Sequence, residues 1–162
     1  MKPLPKLKNE IKLAKGNGAI IFIVCERWQV DEIKGKLIND LSEIKFEDIT
    51  LSPESFSTKY LPSILYEKKV KGIPENVVFN IFGFEKAVPE IYGFVQVHRE
   101  TIAGIERPIL FWVPEYIFKE IPLKTPDFYR FRSSVYWFAE EDKPTKVDEN
   151  IPRKPVYDAE DG

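Results

Sequence analysis

The sequence predicts an α/β protein, a three-layer sandwich around a five-stranded, mainly parallel sheet. Three observations lead there. The apolar runs at 19–25, 76–82 and 108–113 are of strand length and nearly continuous, the mark of strands covered on both faces. Between them lie stretches with apolar residues at helical spacing, and strands alternating with helices imply parallel crossovers. The turn after the first run, Cys25-Glu26-Arg27-Trp28-Gln29, lacks glycine, lysine and any hydroxyl, where a phosphate-binding loop would carry all three.

Residues 1–17 hold lysines but no long apolar core, and are read as an N-terminal extension to a domain spanning 18–139. Ala19 to Cys25 forms the first strand. Val30, Ile33, Leu37, Ile38 and Leu41 recur at helical spacing, which predicts a helix over 29–43. IKFEDITLS at 44–52 reads as the second strand. Ser52-Pro53-Glu54 is a helix start, and Pro62 predicts a kink within 53–69. NVVFNIF at 76–82 is the third strand, ended by Gly83. A helix within 86–106 follows, opened by Pro89, with Ile91, Phe94, Val95, His98, Ile102 and Ile105 on one stripe. PILFWV at 108–113 is the fourth strand, a short helix occupies 114–121, and SSVYWF at 133–138 is the fifth strand. Crossovers between parallel strands are right-handed. Residues 140–162, with Pro144, Pro152 and Pro155 among many charges, read as a tail or a linker toward a further domain.

At 162 residues the chain is one domain with a sizeable core. The apolar fraction of 43% points to a packed globule rather than disorder. A net charge of -2 gives no drive toward nucleic acid or anionic membrane. Eight acids and four bases fall in 140–162, so the remainder is nearly neutral. No apolar stretch approaches the roughly 18–20 residues that span a bilayer, and no signal peptide is visible, so a cytoplasmic protein is expected. The single cysteine, Cys25, forms neither an internal disulfide nor a thiolate metal cluster, and its place at the end of an apolar run suits an inert buried thiol.

Four constellations bear on function. Arg27 and Trp28 lie beyond the carboxyl end of the first strand, where open parallel sheets bind ligands. Arg27 could meet a phosphate and Trp28 stack on a ring. The missing glycines and the charge of Glu26 favour instead a packed or protein-facing turn. Glu85 follows the third strand only after a glycine turn, and with no lysine loop opposite it makes no hydrolytic site. A cap near the start of the next helix suits it better. His98 is on the apolar stripe, so a core or boundary histidine is expected rather than an acid–base catalyst. In TPDFYRFRSSVYWF, aromatics alternate with Arg130 and Arg132. They could stack single-stranded nucleic acid, but more often pack a short helix on a sheet, the arginines pairing with acids such as Asp127 or Glu100.

The HRE triplet at 98–100, RPILFWVPEYIF around the fourth strand and TPDFYRFRSSVYWF resemble the inactive STAND-type, P-loop-derived domains of multidomain prokaryotic defence and stress-signalling proteins. The resemblance covers roughly 18–139. It implies a P-loop NTPase-like topology without a P-loop, no catalysis, and a sensing or scaffolding role. It singles out Arg99, Asp127 and Arg132. The asparagine usual a few residues before the helical arginine is replaced here by the run Phe94, Val95 and Gln96. The expected function is a non-catalytic recognition module with no catalytic residue, metal or cofactor. Its partner would be a protein or further domains of a longer chain. The alternative is a nucleotide sensor that binds without hydrolysis. Arg27, Trp28, Arg99, Asp127 and Arg132 are the candidate contact residues.

Overall fold

The computed structural model describes residues 2–54 and 56–139, without the side chains of 56–59; the 140–162 tail lies outside them. Helix α1 (Leu4–Leu13) precedes strand β1 (Ala19–Val24), a 3-10 turn (Arg27–Gln29) and α2 (Val30–Asp40). Strand β2 (Lys45–Thr50) leads through α3 (Phe56–Lys71) to β3 (Val77–Phe82) and a second 3-10 turn (Phe84–Lys86). Then come α4 (Glu90–Val97), α5 (Arg99–Ala103) and β4 (Pro108–Val113). Three short helices, α6 (Glu115–Phe118), α7 (Ile121–Lys124) and α8 (Pro126–Arg130), end in β5 (Arg132–Trp137).

All five strands are parallel, in the order β2-β3-β4-β1-β5. The expected sandwich is therefore present, with a sheet wholly rather than mainly parallel. From β1 the chain crosses by α2 to the far edge at β2, and returns strand by strand through α3 and α4–α5 to β4. It then passes β1 to reach β5. Helices α1 and α2 cover one face, burying Leu7, Ile11, Ile33 and Leu37 against Ile21, Ile23 and Leu110. The later helices cover the other, where Phe22, Phe79, Phe111 and Val135 meet Leu65, Ile91 and Phe128. Crossovers in one direction use one face, and the crossover in the other direction uses the opposite face. All therefore share one hand.

Aromatic rings fill the second face. The Phe22 ring lies 5.6 Å from those of Phe111 and Phe118 and 6.0 Å from that of Phe128, spacings at which edge and tilted contacts add to simple burial. The β1–β5 register slips between Ile20 and Ile21, Ile20 facing Arg132 and Ile21 facing Ser134, which moves the expected start of β5 back to Arg132.

Several expectations need correction. The segment read as an N-terminal extension is part of the core: α1 buries Leu4, Leu7 and Ile11, and its Glu10 carboxylate accepts hydrogen bonds from Ser134 and Tyr136 of β5. The helix expected over 29–43 ends at Asp40, where the Leu41 backbone leaves helical angles. The kink expected within 53–69 is present in α3, at Tyr60 (φ -111°, ψ 19°), two residues before Pro62, which lacks the N–H of a regular helical turn. The single helix expected within 86–106 breaks at His98 (φ -104°, ψ 25°) into α4 and α5. That break turns His98 outward, so it is exposed rather than on the core stripe. The helix expected over 114–121 becomes α6 and the start of α7.

Candidate functional site

Neighbouring strands β1 and β4 send their connections to opposite faces, β1 to α2 and β4 to α6. In such sheets a crevice opens outside the carboxyl ends where the connections diverge. Here it is a cleft of about 490 Å³, within the size range of small-molecule sites. Phe82 and Trp112 give it aromatic wall, their ring centroids 5.3 Å apart. Its charged residues come from three places: Glu26 and Arg27 after β1, Asp31 in the first turn of α2, and Glu85 and Lys86 after β3.

The turn after β1 is closed on itself. The Glu26 N–H donates to Gln29 Oε1 at 2.7 Å, and the Gln29 N–H bonds back to the Glu26 carbonyl at 2.9 Å and meets the Glu26 side chain. The N–H of Cys25 donates to the Val113 carbonyl. Gln29, only 3% exposed, passes its Nε2 hydrogen to the Phe138 carbonyl at 2.8 Å, so the turn is also bolted to the end of β5. Phosphate loops work by pointing free amides at the anion. Here the Cys25, Glu26 and Gln29 amides all have internal acceptors. Asp31 and Glu32 further oppose an anion at the start of α2.

Behind the aromatic wall runs a polar chain. Trp112 Nε1 donates to Asn80 Oδ1 at 2.8 Å, Asn80 Nδ2 donates to Asp48 at 3.1 Å, and Lys34 pairs with Asp48 at 2.5 Å. Lys34 also sits 5.0 Å from the centre of the Phe82 ring. Asn80, 1% exposed, is thereby satisfied, as a buried amide must be. The network fixes the tilt of Trp112 and Phe82.

Cys25 lines the cleft and is buried. Burial first, then the charges of Glu26 and Glu85, push its thiol up to about 12 from an ordinary 9.0. The folded state thus favours the neutral thiol. Its contribution to stability is whole below pH 9 and is lost as pH rises from 9 through about 12. Native protein should therefore resist iodoacetamide at pH 8, while protein in 6 M guanidinium reacts; equal labelling rates would contradict the burial.

Of the five candidate residues, Arg27 lines the cleft. Trp28 lies outside it with 56% of its surface exposed. The others lie outside the cleft. Arg99 donates to the Gln96 carbonyl at 2.7 Å, and Gln96 Nε2 donates to Asp127 at 2.8 Å. Gln96 Oε1 accepts the N–H groups of Asp127 and Phe128. Asp127 also meets Arg130 at 3.6 Å. These bonds fasten α8 to α4. Arg132, at the amino end of β5, lies 4.1 Å from the Tyr129 ring and donates to the Tyr129 carbonyl, and among the described residues it pairs with no acid. The structure thus joins Arg99 to Asp127 through Gln96 and leaves Arg27 and Trp28 apart from them. Glu85 is a cleft residue in the 3-10 turn Phe84–Lys86, ahead of α4, and not the cap expected for that helix.

Sequence reasoning missed Gln29 and Gln96, whose acceptors and donors lie 109 and 31 or more residues away. It also missed Phe82 and Trp112, which read only as strand residues. Among the described residues no group of three or more His, Cys, Asp or Glu is placed to hold a metal ion, and no helix is long and apolar enough to cross a membrane. No protein-family model matches the chain, and no curated protein matches it.

Proposed function

We propose that this chain is a catalytically inert recognition module on a nucleotide-type α/β scaffold, of the degenerate STAND kind. It acts in the cytoplasm of a prokaryote, in defence or stress signalling, through contact with a protein partner or with further domains. The observation that carries this reading is the turn after β1, whose Cys25, Glu26 and Gln29 amides bond within the protein. A triphosphate would have to break those bonds and approach Glu26 and Asp31. A nucleotide sensor that binds without hydrolysis is the second reading, favoured by the cleft's volume and aromatic wall.

Thermal-shift measurements with Mg-ATP, Mg-GTP and cyclic dinucleotides distinguish the two. A ligand at a hundred times its Kd stabilises by about 2.7 kcal/mol, which for a domain of this size raises Tm by roughly 5–10 °C. We expect no shift and background phosphate release. A nucleotide-dependent shift alone selects the sensor. Phosphate release that Glu85→Ala abolishes would make the protein an enzyme and end the proposal.

A further inference from the structure

The cleft has an order of charge that a triphosphate site would not have. Glu26 and Glu85 are half-buried in the cleft beside the buried Cys25 thiol, whose pKa their charges raise in addition to burial. Arg27 and Lys86 line the same cleft but are exposed, at its mouth, together with the exposed carboxylate of Asp31. Among the described residues neither base forms an ion pair with any of the three acids. Five charges of both signs, three acids and two bases, thus line one cavity of about 490 Å³ without forming ion pairs among themselves. The inner pair sits where desolvation strengthens a Coulombic contact, while the outer three are screened by water.

From this arrangement we propose that the cleft is a binding site for a small zwitterion of the basic amino-acid class. Its side-chain ammonium or guanidinium lies inward between Glu26 and Glu85, its carboxylate faces Arg27 and Lys86, and its α-ammonium faces Asp31. A guanidinium suits the inner end, since its fork of N–H donors can meet both carboxylates. The aromatic wall of Phe82 and Trp112 gives the ligand's methylene chain an apolar surface, as in pockets where a few placed polar groups set orientation. The proposal rests on the preceding reading in one respect, that the turn after β1 does not grip phosphate.

The test is calorimetric titration of the full chain at low salt with L-arginine, L-lysine, agmatine and inorganic pyrophosphate. Agmatine keeps the guanidinium and lacks the carboxylate. Saturable binding of arginine or lysine is expected, with agmatine at least fivefold weaker than arginine and pyrophosphate silent. Glu85→Gln, of the same shape, should weaken the amino acid at least tenfold. Lys86→Met should weaken arginine and leave agmatine unchanged, a split that loss of folding would not produce. If neither amino acid binds, or Glu85→Gln leaves the affinity unaltered, the inference is overturned while the reading of the closed turn stands. Pyrophosphate binding that excludes arginine would overturn both.

Discussion

Gly83→Ala should cost about 3–5 kcal/mol, from left-handed strain and forced displacement of neighbours. Gly83 holds φ +83° between β3 and the Phe84–Lys86 turn, and a Cβ there would stand 2.2 Å from the Leu51 carbonyl oxygen. The contact is with backbone, not the end of a movable side chain. The Leu51 N–H already donates to the Phe82 carbonyl at 2.7 Å, which locks the crossing of the two chains. Denaturant titration should show a lower midpoint with the same m value, and Tm should fall by roughly 10 °C or more. Gly35→Ala is the matched comparison. Its Cβ would meet nothing within 4 Å on α2, so it should stabilise by about 0.5–1 kcal/mol. Equal effects of the two substitutions would mean that the turn after β3 is not built as described.

The second large effect is expected in the segment that reads as an extension. Ile11→Ala should destabilise by roughly 2–5 kcal/mol, the range for emptying a fully buried aliphatic position. Ile11 is 0% exposed, packed with Leu7 in the same cluster as Ile21, Ile23 and Tyr136. Leu13→Ala, at 74% exposure on the same helix, should stay within about 0.5 kcal/mol. Chemical denaturation of the two variants separates a structural helix from an appended one. If Ile11→Ala proves as neutral as Leu13→Ala, α1 does not belong to the fold.

Both predictions touch the boundary between local and tertiary information. Strands β1, β3 and β4 were legible because both their faces are buried, which leaves six apolar or nearly apolar residues in a row. Strand β2 was legible with less apolar content, between a helix and a helix start. Helix α1 was not, although Leu4, Leu7 and Ile11 are spaced i, i+3, i+7, because the lysines between them suggest a solvated segment. The break at His98 was invisible for the opposite reason: apolar spacing runs through it and no proline or glycine stands at it, while α4 and α5 each contact both α3 and α8.

For the site, what could be read locally was a loss: no glycine, lysine or hydroxyl after β1. What fills the gap could not be read, since Gln29 finds its acceptor at Phe138 and Trp112 its partner at Asn80, both far along the chain. Arg99, Asp127 and Arg132 are singled out by the family resemblance. The fold places Arg99 and Asp127 in the Gln96 bonds that fasten one helix to another, and Arg132 on Tyr129 at the other end of the sheet.

By itself the sequence determined the architecture, because apolar periodicity is a local record of which faces are buried. It also determined the missing phosphate grip, because that chemistry needs particular residues in one short loop. Only the tertiary structure decided strand order, the membership of α1 in the core, and the cleft with two half-buried acids within and exposed charges of both signs at its mouth. Those depend on which distant residues meet, and a cavity's charge is a sum over loops that the chain order keeps apart.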